Sequence, residues 1–285
     1  MTATAVDIPY RLAWRTRTAR VGAHRSTFAG TGGMFRDLTS LLDARDPRRI
    51  DLRQSLRDPF ENIYVRRFEQ TSAIAVSVLM DVSASMAFDG RSRKFKLACE
   101  LAQTIASSAL RTGDTFALIA ADTDVRTELT LMASRSRSAI AQKIDDMQRF
   151  VPSRAGAGGL IGAATLMTGR RGLVFLVSDF LMPDDRIHAI FERLSRHDVI
   201  PVALHDSAEI EALPDWGVME LADLETGRRR LIVLRPSFKE TWRRRIEARR
   251  SDFRAIARRF GRDPFEVTDR IDWERLAAHL MSGAH

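Results

Sequence analysis

The sequence predicts an α/β fold: a doubly wound, mostly parallel sheet flanked by helices, with an irregular N-terminal segment and a basic C-terminal helix. Two observations lead to this prediction. Residues 73–80 and 172–178 are apolar runs of strand length, typical of buried parallel strands. From residue 73 onward, such runs alternate with helical patterns, which indicates right-handed βαβ units.

Periodicity and turn signals place each element. Apolar residues recur at helical spacing through residues 93–111, and Gly113-Asp114 ends that helix before the next strand. Pro183 and the two aspartates after it mark another helix start. The predicted strands are 63–68, 73–80, 115–121, 127–131, 172–178, 199–204, 218–221 and 231–234. The predicted helices are 93–111, 136–150, 163–167, 186–196, 238–260 and 273–281.

Changes in composition along the chain suggest three regions. Residues 1–70 are rich in Arg and interrupted by Gly, without clear periodicity, and we expect this segment to pack on the main domain. Residues 71–235 hold the alternating strands and helices of the α/β domain. Residues 236–285 form a C-terminal helical extension, in which ten Lys or Arg against three Asp or Glu fall between Lys239 and Arg262.

The overall composition is that of a soluble globular protein. Hydrophobic residues make up 45% and charged residues 29% of the 285-residue chain. No apolar stretch reaches the length of about 18 residues that a membrane span needs, and the N-terminus does not resemble a signal peptide. The single cysteine, Cys99, lies on the apolar stripe of its helix and is expected in the core. We therefore expect a cytoplasmic location.

Polar residues follow two of the predicted buried strands directly. Asp81, Ser83 and Ser85 come after the first, and Asp179 follows the strand at 172–178. Ligands of open α/β sheets bind beyond the carboxyl ends of the strands, and oxygen donors there suit Mg²⁺. The alternative is a strand-to-helix turn in which the two serines cap backbone amides.

The Asp-x-Ser-x-Ser pattern resembles the metal-ion-dependent adhesion site of von Willebrand A domains. The resemblance implies a second loop with a Thr ligand, where this chain has Gly158-Gly159-Leu160. Leucine cannot bind Mg²⁺, so we expect a partial site of Asp81, Ser83, Ser85 and Asp179 that still could hold a water-rich ion. Otherwise the carboxylates serve as hydrogen-bond acceptors. Because two close carboxylates repel, either a cation or a Lys or Arg partner is expected beside them.

A narrower resemblance rests on motifs in a fixed order. Gly22-x-His24-x-Ser26, Gly30-x-Gly32, Phe35-Arg36-Asp37, Arg48-Arg49-Ile50-Asp51 and Tyr64–Glu69 precede the Asp-x-Ser-x-Ser loop, and Val174–Phe180 and Asp223-x-Glu225-Thr226-Gly227 follow it. Over residues 22–235 the chain resembles the MoxR-associated von Willebrand A-like family, domain of unknown function 58. This implies an adaptor that works with a MoxR-type AAA+ ATPase in maturation of a client or insertion of its metal. Residues 46–58 resemble the MxaS-type members of methanol-oxidation gene clusters, which implies methanol dehydrogenase as the client.

The residues themselves favour an interaction module over an enzyme. The glycine-rich loop lacks the Lys-Ser/Thr of a phosphate-binding loop, and neither Asp81 nor Ser83 has a histidine base nearby in the sequence. On the basic helix, Arg243, Arg244, Arg249 and Arg250 are the predicted partner-binding residues. A solvated basic face and nucleic-acid binding are the alternatives; nucleic-acid binding is disfavoured because no aromatic residues are interleaved on the charged side.

Overall fold

The computed structural model describes residues 8–10, 12, 14, 21–30, 34–43, 47–212, 214–222 and 229–282. The chain forms two compact units. One consists of Leu12–Ile74 with Thr112–Asp114, and the other of Met1–Arg11, Ala75–Arg111 and Thr115–His285. The Glu225-Thr226-Gly227 motif lies outside the described residues.

The smaller unit is built on a three-stranded antiparallel sheet. Its strands β1 (Val21–Gly30), β2 (Met34–Ser40) and β3 (Tyr64–Ser72) pair in the order β1-β3-β2, and a single helical turn, α1 (Leu52–Ser55), precedes β3. The sequence predicts one short strand here, at residues 63–68, which overlaps β3, and an otherwise irregular segment. Polar cross-strand pairs explain the difference: Arg67 Nε of β3 lies 2.6 Å from Asp37 Oδ1, directly opposite on β2. Strands held in this way show no apolar alternation.

The larger unit contains the predicted α/β sheet. Its strands are, in chain order, β4 (Ala75–Asp81), β5 (Thr115–Ala121), β6 (Leu131–Ser134), β7 (Leu173–Ser178), β8 (Asp198–His205), β9 (Gly217–Ala222), β10 (Arg229–Leu234) and β11 (Phe265–Thr268). Six of them form one sheet in the order β11-β8-β7-β4-β5-β6, in which only β6 runs antiparallel. Strands β9 and β10 pair as a separate hairpin.

Helices flank this sheet. They are α2 (Lys94–Arg111), α3 (Arg137–Arg149), α4 (Gly159–Leu166), α5 (Asp184–Arg193), α6 (Ala208–Glu211), α7 (Pro236–Arg259) and α8 (Trp273–Ser282). The apolar stripe predicted for α2 is buried at Ala98, Leu101, Ala102 and Ile105. All residues of β7 and β8 are buried, as expected of parallel strands covered on both faces. The α/β fold class predicted from the sequence is therefore confirmed.

The structure differs from the predicted elements at several places in this unit: helix α6 was not predicted, and α4 begins at Gly159, four residues earlier than expected. Residues 127–129 form a 3₁₀ turn, and the edge strand begins only at Leu131. The C-terminal residues contribute more than helices, because β11 pairs in parallel with β8. Phe265 and Val267 of β11 are buried, and two apolar residues in so short a run give too weak a pattern to reveal a strand.

Helix α7 packs on the sheet unit through its apolar stripe. Phe253, Ile256 and Ala257 are buried, and the ring of Phe260 stacks on that of Phe191 in α5 at 5.3 Å between centroids. Beyond the helix, Arg262 Nη1 lies 2.7 Å from Asp198 Oδ1. Among the helices of the described residues, none combines the length and apolar composition that a membrane span requires.

Candidate functional site

The carboxyl ends of β4, β7 and β8 lie side by side, because these strands are parallel neighbours in the sheet. The residues at or just after these ends are Asp81, Ser178-Asp179 and Asp206, and all are buried. The sheet topology thus brings three carboxylates from distant parts of the sequence to the same edge of the sheet, where α/β folds bind ligands. We call Asp81, Ser83, Ser178, Asp179 and the side chains bonded to them the polar cluster.

Asp81 is held by hydrogen bonds from its own loop and from the neighbouring strand. Its Oδ1 accepts from the backbone N–H of Ser83 at 2.9 Å, and its Oδ2 accepts from Ser178 Oγ at 2.6 Å. The hydroxyls of Ser83 and Ser85 lie 3.2 Å from each other. The structure therefore brings together the three predicted ligands of the first loop, but their polar groups already have partners within the protein.

The cation beside Asp179 is a lysine. Lys94, the first residue of α2, is only 1% exposed, and its Nζ donates to Asp179 Oδ2 at 2.7 Å and to Glu209 Oε1 at 2.8 Å. The ring of Phe88 covers the ammonium group at 5.7 Å. Of the two partners that the sequence analysis left open for these carboxylates, a cation or a basic side chain, the structure contains the basic side chain.

Asp206 holds in place the loop that directly precedes Lys94. Its buried carboxylate accepts from the backbone N–H groups of Arg91 and Ser92 at 3.1 and 2.8 Å, and from Ala208 N at 2.8 Å. Burial acts to raise the pKa of Asp206, but these hydrogen bonds outweigh it and the pKa is lowered. One carboxylate thus anchors both the start of α2 and the start of α6, which carries Glu209.

The backbone after β7 is strained where it leaves the cluster. Phe180 has a φ of 53°, in the left-handed region that non-glycine residues rarely adopt. Its N–H donates to Ser178 Oγ at 3.0 Å, and its ring stacks on Phe253 of α7 at 4.0 Å between centroids. Asp179 Oδ1 accepts from Leu181 N at 3.2 Å. The loop is therefore held in place by the same cluster and by helix α7.

The glycine-rich loop does not supply a ligand. Leu160, at the position where the family resemblance implies Thr, is fully buried in the apolar core with Leu79, Ile119 and Val174. Thr165, the next hydroxyl along the chain, donates to Ile161 O within its own helix at 2.8 Å. Gly159 brings this loop against the backbone of the turn after β5, where its N–H donates to Asp122 O at 2.7 Å.

These residues do not fit a magnesium ion. Mg²⁺ takes near-octahedral oxygen coordination and keeps several waters. Each of the four carboxylate oxygens of Asp81 and Asp179 accepts one hydrogen bond, which leaves a lone pair on each, but the donor to Asp179 Oδ2 is the Lys94 ammonium group, whose charge would repel a metal ion there. The described residues also contain no group of three or more His, Cys, Asp or Glu that could hold a metal ion.

The environment of Asp81 disfavours its charged form. The pKa of Asp81 is raised to about 7, mainly by burial and to a lesser extent by the charge of Asp179. Hydrogen bonds from Ser178 and Ser83 act in the opposite direction. The ordinary value is 3.8, so between about pH 4 and 7 the folded protein keeps a proton that the unfolded chain has released. Stability from this carboxyl is therefore complete below about pH 4 and is lost as the pH rises through 7.

We expect Asp81→Asn to make the protein more stable than wild type at pH 8, by up to about 4 kcal/mol. The amide has the same shape and no charge, so its oxygen still accepts from Ser83 N. At pH 4.5 the difference should be much smaller, because folded wild type carries the neutral carboxyl and the pH is close to the ordinary pKa that the carboxyl has in the unfolded chain. Urea denaturation of both proteins at the two pH values measures this. An equal loss of stability in the variant at both values would contradict it.

Helix α7 lies beside this cluster. Trp242 Nε1 donates to Glu209 O at 2.9 Å, and Arg249 donates to Met182 O. Arg249 and Arg250 line a cavity of about 20 Å³ together with Asp179, His205 and Glu209. Burial, and next the charge of Arg250, lower the pKa of His205 to about 4, so this histidine is neutral at pH 7. Of the four predicted partner-binding arginines, Arg243, Arg244 and Arg249 are exposed and Arg250 is half-buried; only Arg249 and Arg250 line this cavity.

Sequence reasoning missed Lys94, Ser178, Asp206 and Glu209. A signal for Lys94 was present: it lies four residues before Ala98 and eight before Ala102, on the buried stripe of α2. A lysine on an apolar stripe, at the helix end where a positive charge is unfavourable, indicates a buried partner. Glu209 gave no such signal, because α6 is a short helix with no buried residues.

Comparison with known proteins gives one family and several relatives. The model of the family described as protein of unknown function DUF58 matches residues 44–255. An uncharacterized protein in the moxR 3' region of Paracoccus denitrificans is 34% identical over 97 residues, which are 34% of this chain and 92% of that protein. An uncharacterized protein of Mycobacterium tuberculosis is 30% identical over 104 residues, which are 36% of this chain and 32% of that protein.

Solved structures with a similar fold have low sequence identity. The conserved hypothetical protein BatB from Bacteroides thetaiotaomicron matches with a TM-score of 0.47 and 14% identity, over 74% of this chain and 98% of that one. An aerotolerance-related membrane protein from Bacteroides fragilis matches with a TM-score of 0.44, 14% identity and the same coverage. A mussel byssus protein titled as having a zinc-occupied MIDAS motif covers 47% of this chain and 38% of its own, with a TM-score of 0.34 and 18% identity.

These comparisons correct one expectation and establish the family. The cytoplasmic location expected from composition was wrong as judged by these neighbours, because one of them is titled a membrane protein; we assign no location. The described helices still include no candidate membrane span. The family model covers more than half of the chain, and the Paracoccus relative is matched over nearly all of its length. The chain belongs to the DUF58 family of proteins of unknown function.

Proposed function

We propose that this protein is a non-catalytic adaptor that works with a MoxR-type AAA+ ATPase in the maturation of a client protein. The family match and the relative named for its place in the moxR 3' region support the ATPase as partner. The resemblance of residues 46–58 to members from methanol-oxidation gene clusters makes methanol dehydrogenase, and insertion of its metal, the first client to test.

The proposal that the protein is not a catalyst rests on the polar cluster, whose side chains are buried and hydrogen-bonded within the protein. Asp81, Ser83 and Ser178 are buried and bonded to groups of the protein itself. A serine nucleophile needs a histidine base within hydrogen-bond reach and access to a substrate. In the described part of the chain, this end of the sheet pairs no serine hydroxyl with a histidine ring. His205 Nε2 has no hydrogen-bond partner and lies 4.0 Å from Glu266 Oε2.

The exposed arginines of α7 are the proposed contact with the ATPase. Arg243 is exposed, and Arg244 is 74% exposed with only a weak pair to Glu240, at 3.4 Å one helical turn away. Exposed arginines can pair bidentately with carboxylates of a partner, and pairs across an interface set both the rate and the specificity of association. An acidic surface on the ATPase would fit this face.

The test is a binding titration between this protein and the MoxR-type ATPase of its own organism, both purified. We expect Arg243→Glu/Arg244→Glu to weaken the affinity by about tenfold or more, because it replaces attraction by repulsion. Arg135→Glu/Arg137→Glu is the matched control, since it makes the same change of charge at two exposed residues around the start of α3. Absence of binding by wild type, or equal weakening by both double variants, would contradict the proposal.

Nucleic-acid binding by α7 is the less favoured function. Base stacking needs exposed aromatic rings near the basic residues. On α7, Trp242 Nε1 donates to Glu209 O and Phe253 stacks on Phe180; Phe260, directly after the helix, stacks on Phe191. These aromatic residues are used within the fold. Tight binding to single or double strands with a steep dependence on salt would reverse this preference.

A further inference from the structure

We propose that the ammonium group of Lys94 is the resident cation of the cluster at the carboxyl end of the sheet, in the role that a divalent metal plays in an adhesion site. The disagreement between the metal that the fold family implies and the residues present is the basis of this inference. It does not depend on the proposed function, because it concerns the cluster of the isolated protein.

The geometry around Lys94 is that of a completed cation site. The ammonium group has three donors, and two of them bond to Asp179 Oδ2 and Glu209 Oε1 at 2.7 and 2.8 Å. The ring of Phe88 lies 5.7 Å from the nitrogen, and the side chain is 1% exposed. A buried charge persists only when it is paired and hydrogen-bonded, and Lys94 meets both conditions.

The position of Lys94 is fixed by the fold. Its backbone begins α2, and the loop before it is bonded to the Asp206 carboxylate through Arg91 N, Ser92 N and Ser92 Oγ at 3.1, 2.8 and 3.1 Å. These bonds hold the loop so that the Lys94 side chain reaches Asp179. A long lysine on a free loop would instead extend to solvent.

A divalent cation and Lys94 compete for the same oxygen. A metal bound to Asp179 Oδ2 would lie next to the ammonium group already bonded there, and like charges at such distances repel strongly in a buried site. Metal binding thus requires Lys94 to leave, although the side chain is enclosed. If the protein is the proposed adaptor, a partner cannot bind at this end of the sheet by coordinating a shared metal ion with its own carboxylate. Partner binding there is therefore independent of divalent cations.

The experiment is a titration of metal-free purified protein with Mn²⁺, with free Mn²⁺ followed by electron paramagnetic resonance. We expect wild type to show no binding below about 1 mM, and Lys94→Ala to bind at least about tenfold more tightly, because it frees two carboxylates and opens space. Adding Asp179→Asn to Lys94→Ala should abolish the gain. Lys94→Arg keeps the charge and should resemble wild type.

Three results would overturn the proposal. The first is tight Mn²⁺ binding by wild type that Asp179→Asn removes. The second is a folded Lys94→Ala protein that binds no better than wild type. The third is a gain in Lys94→Ala that survives the added Asp179→Asn. If Lys94→Ala does not fold, as judged by circular dichroism, Lys94→Gln, which keeps the length and loses the charge, takes its place with the same expected gain.

Discussion

Replacing Lys94 by Met is expected to lower the free energy of unfolding by about 3–5 kcal/mol at pH 8, the cost of removing one partner from a buried ion pair. Methionine fills nearly the same volume, so the loss reflects charge rather than a cavity. Asp179 and Glu209 would both lose their cation, with side chains only 3% and 16% exposed. Chemical denaturation of wild type and variant at pH 8 gives the difference directly.

The pH dependence of this loss separates charge from packing. Burial acts to lower the pKa of Lys94, but the charges of Asp179 and Glu209 outweigh it and raise the pKa above the ordinary 10.5. The contribution of the lysine is therefore complete below about pH 10 and is lost only at more alkaline pH. Burial also raises the pKa of Glu209 in wild type, and without Lys94 this carboxyl should take up a proton more readily. We thus expect the variant to be less destabilised at pH 5 than at pH 8.

Lys96→Met is the matched control for this prediction. Lys96 is exposed and lies two residues further along the same helix, so the same substitution should change stability by no more than about 0.5 kcal/mol. A Lys94→Met protein as stable as the Lys96→Met control would mean that the buried pairs contribute nothing, and would contradict the prediction. A loss equal at pH 5 and pH 8 would assign the effect to packing instead.

Gly159→Ala is expected to destabilise the protein by about 3 kcal/mol, at the upper end of what overpacking usually costs. A Cβ atom at this position would lie 2.5 Å from Asp124 C and 2.6 Å from Asp124 O. These are backbone atoms of the turn after β5, and Gly159 N also donates to Asp122 O there. The neighbour cannot rotate away as a side chain would, so the two loops must separate.

The adjacent glycine provides the control for this substitution. At Gly158 a Cβ atom would meet nothing closer than 3.8 Å, and its backbone is already right-handed helical, with φ −61° and ψ −30°. Gly158→Ala should therefore be neutral, or more stable by up to about 1 kcal/mol, because alanine restricts the unfolded chain. Thermal melts of both variants compare them. Equal melting temperatures for the two would show that the close approach of the loops does not limit stability.

Local patterns were sufficient to predict the framework of the site. Strands β4 and β7 consist almost wholly of apolar residues, and such runs encode burial on both faces without reference to the rest of the chain. The position of Asp81, Ser83 and Ser85 after β4, and of Asp179 after β7, followed from those strand ends. The smaller unit was not predictable in the same way, since polar pairs such as Arg67–Asp37 stabilise its sheet and leave no apolar alternation.

The sequence by itself determined which strands are buried and which polar residues follow them, because burial of a strand is a property of consecutive residues. Only the tertiary structure decided what those polar residues bind. Lys94 lies 85 residues from Asp179 and 115 from Glu209 in the chain, and the order of β4, β7 and β8 in the sheet brings them together. Packing of distant elements likewise places the side chain of Leu160 in the apolar core. Charge pairing and packing depend on which distant elements become neighbours, and no local pattern contains that information.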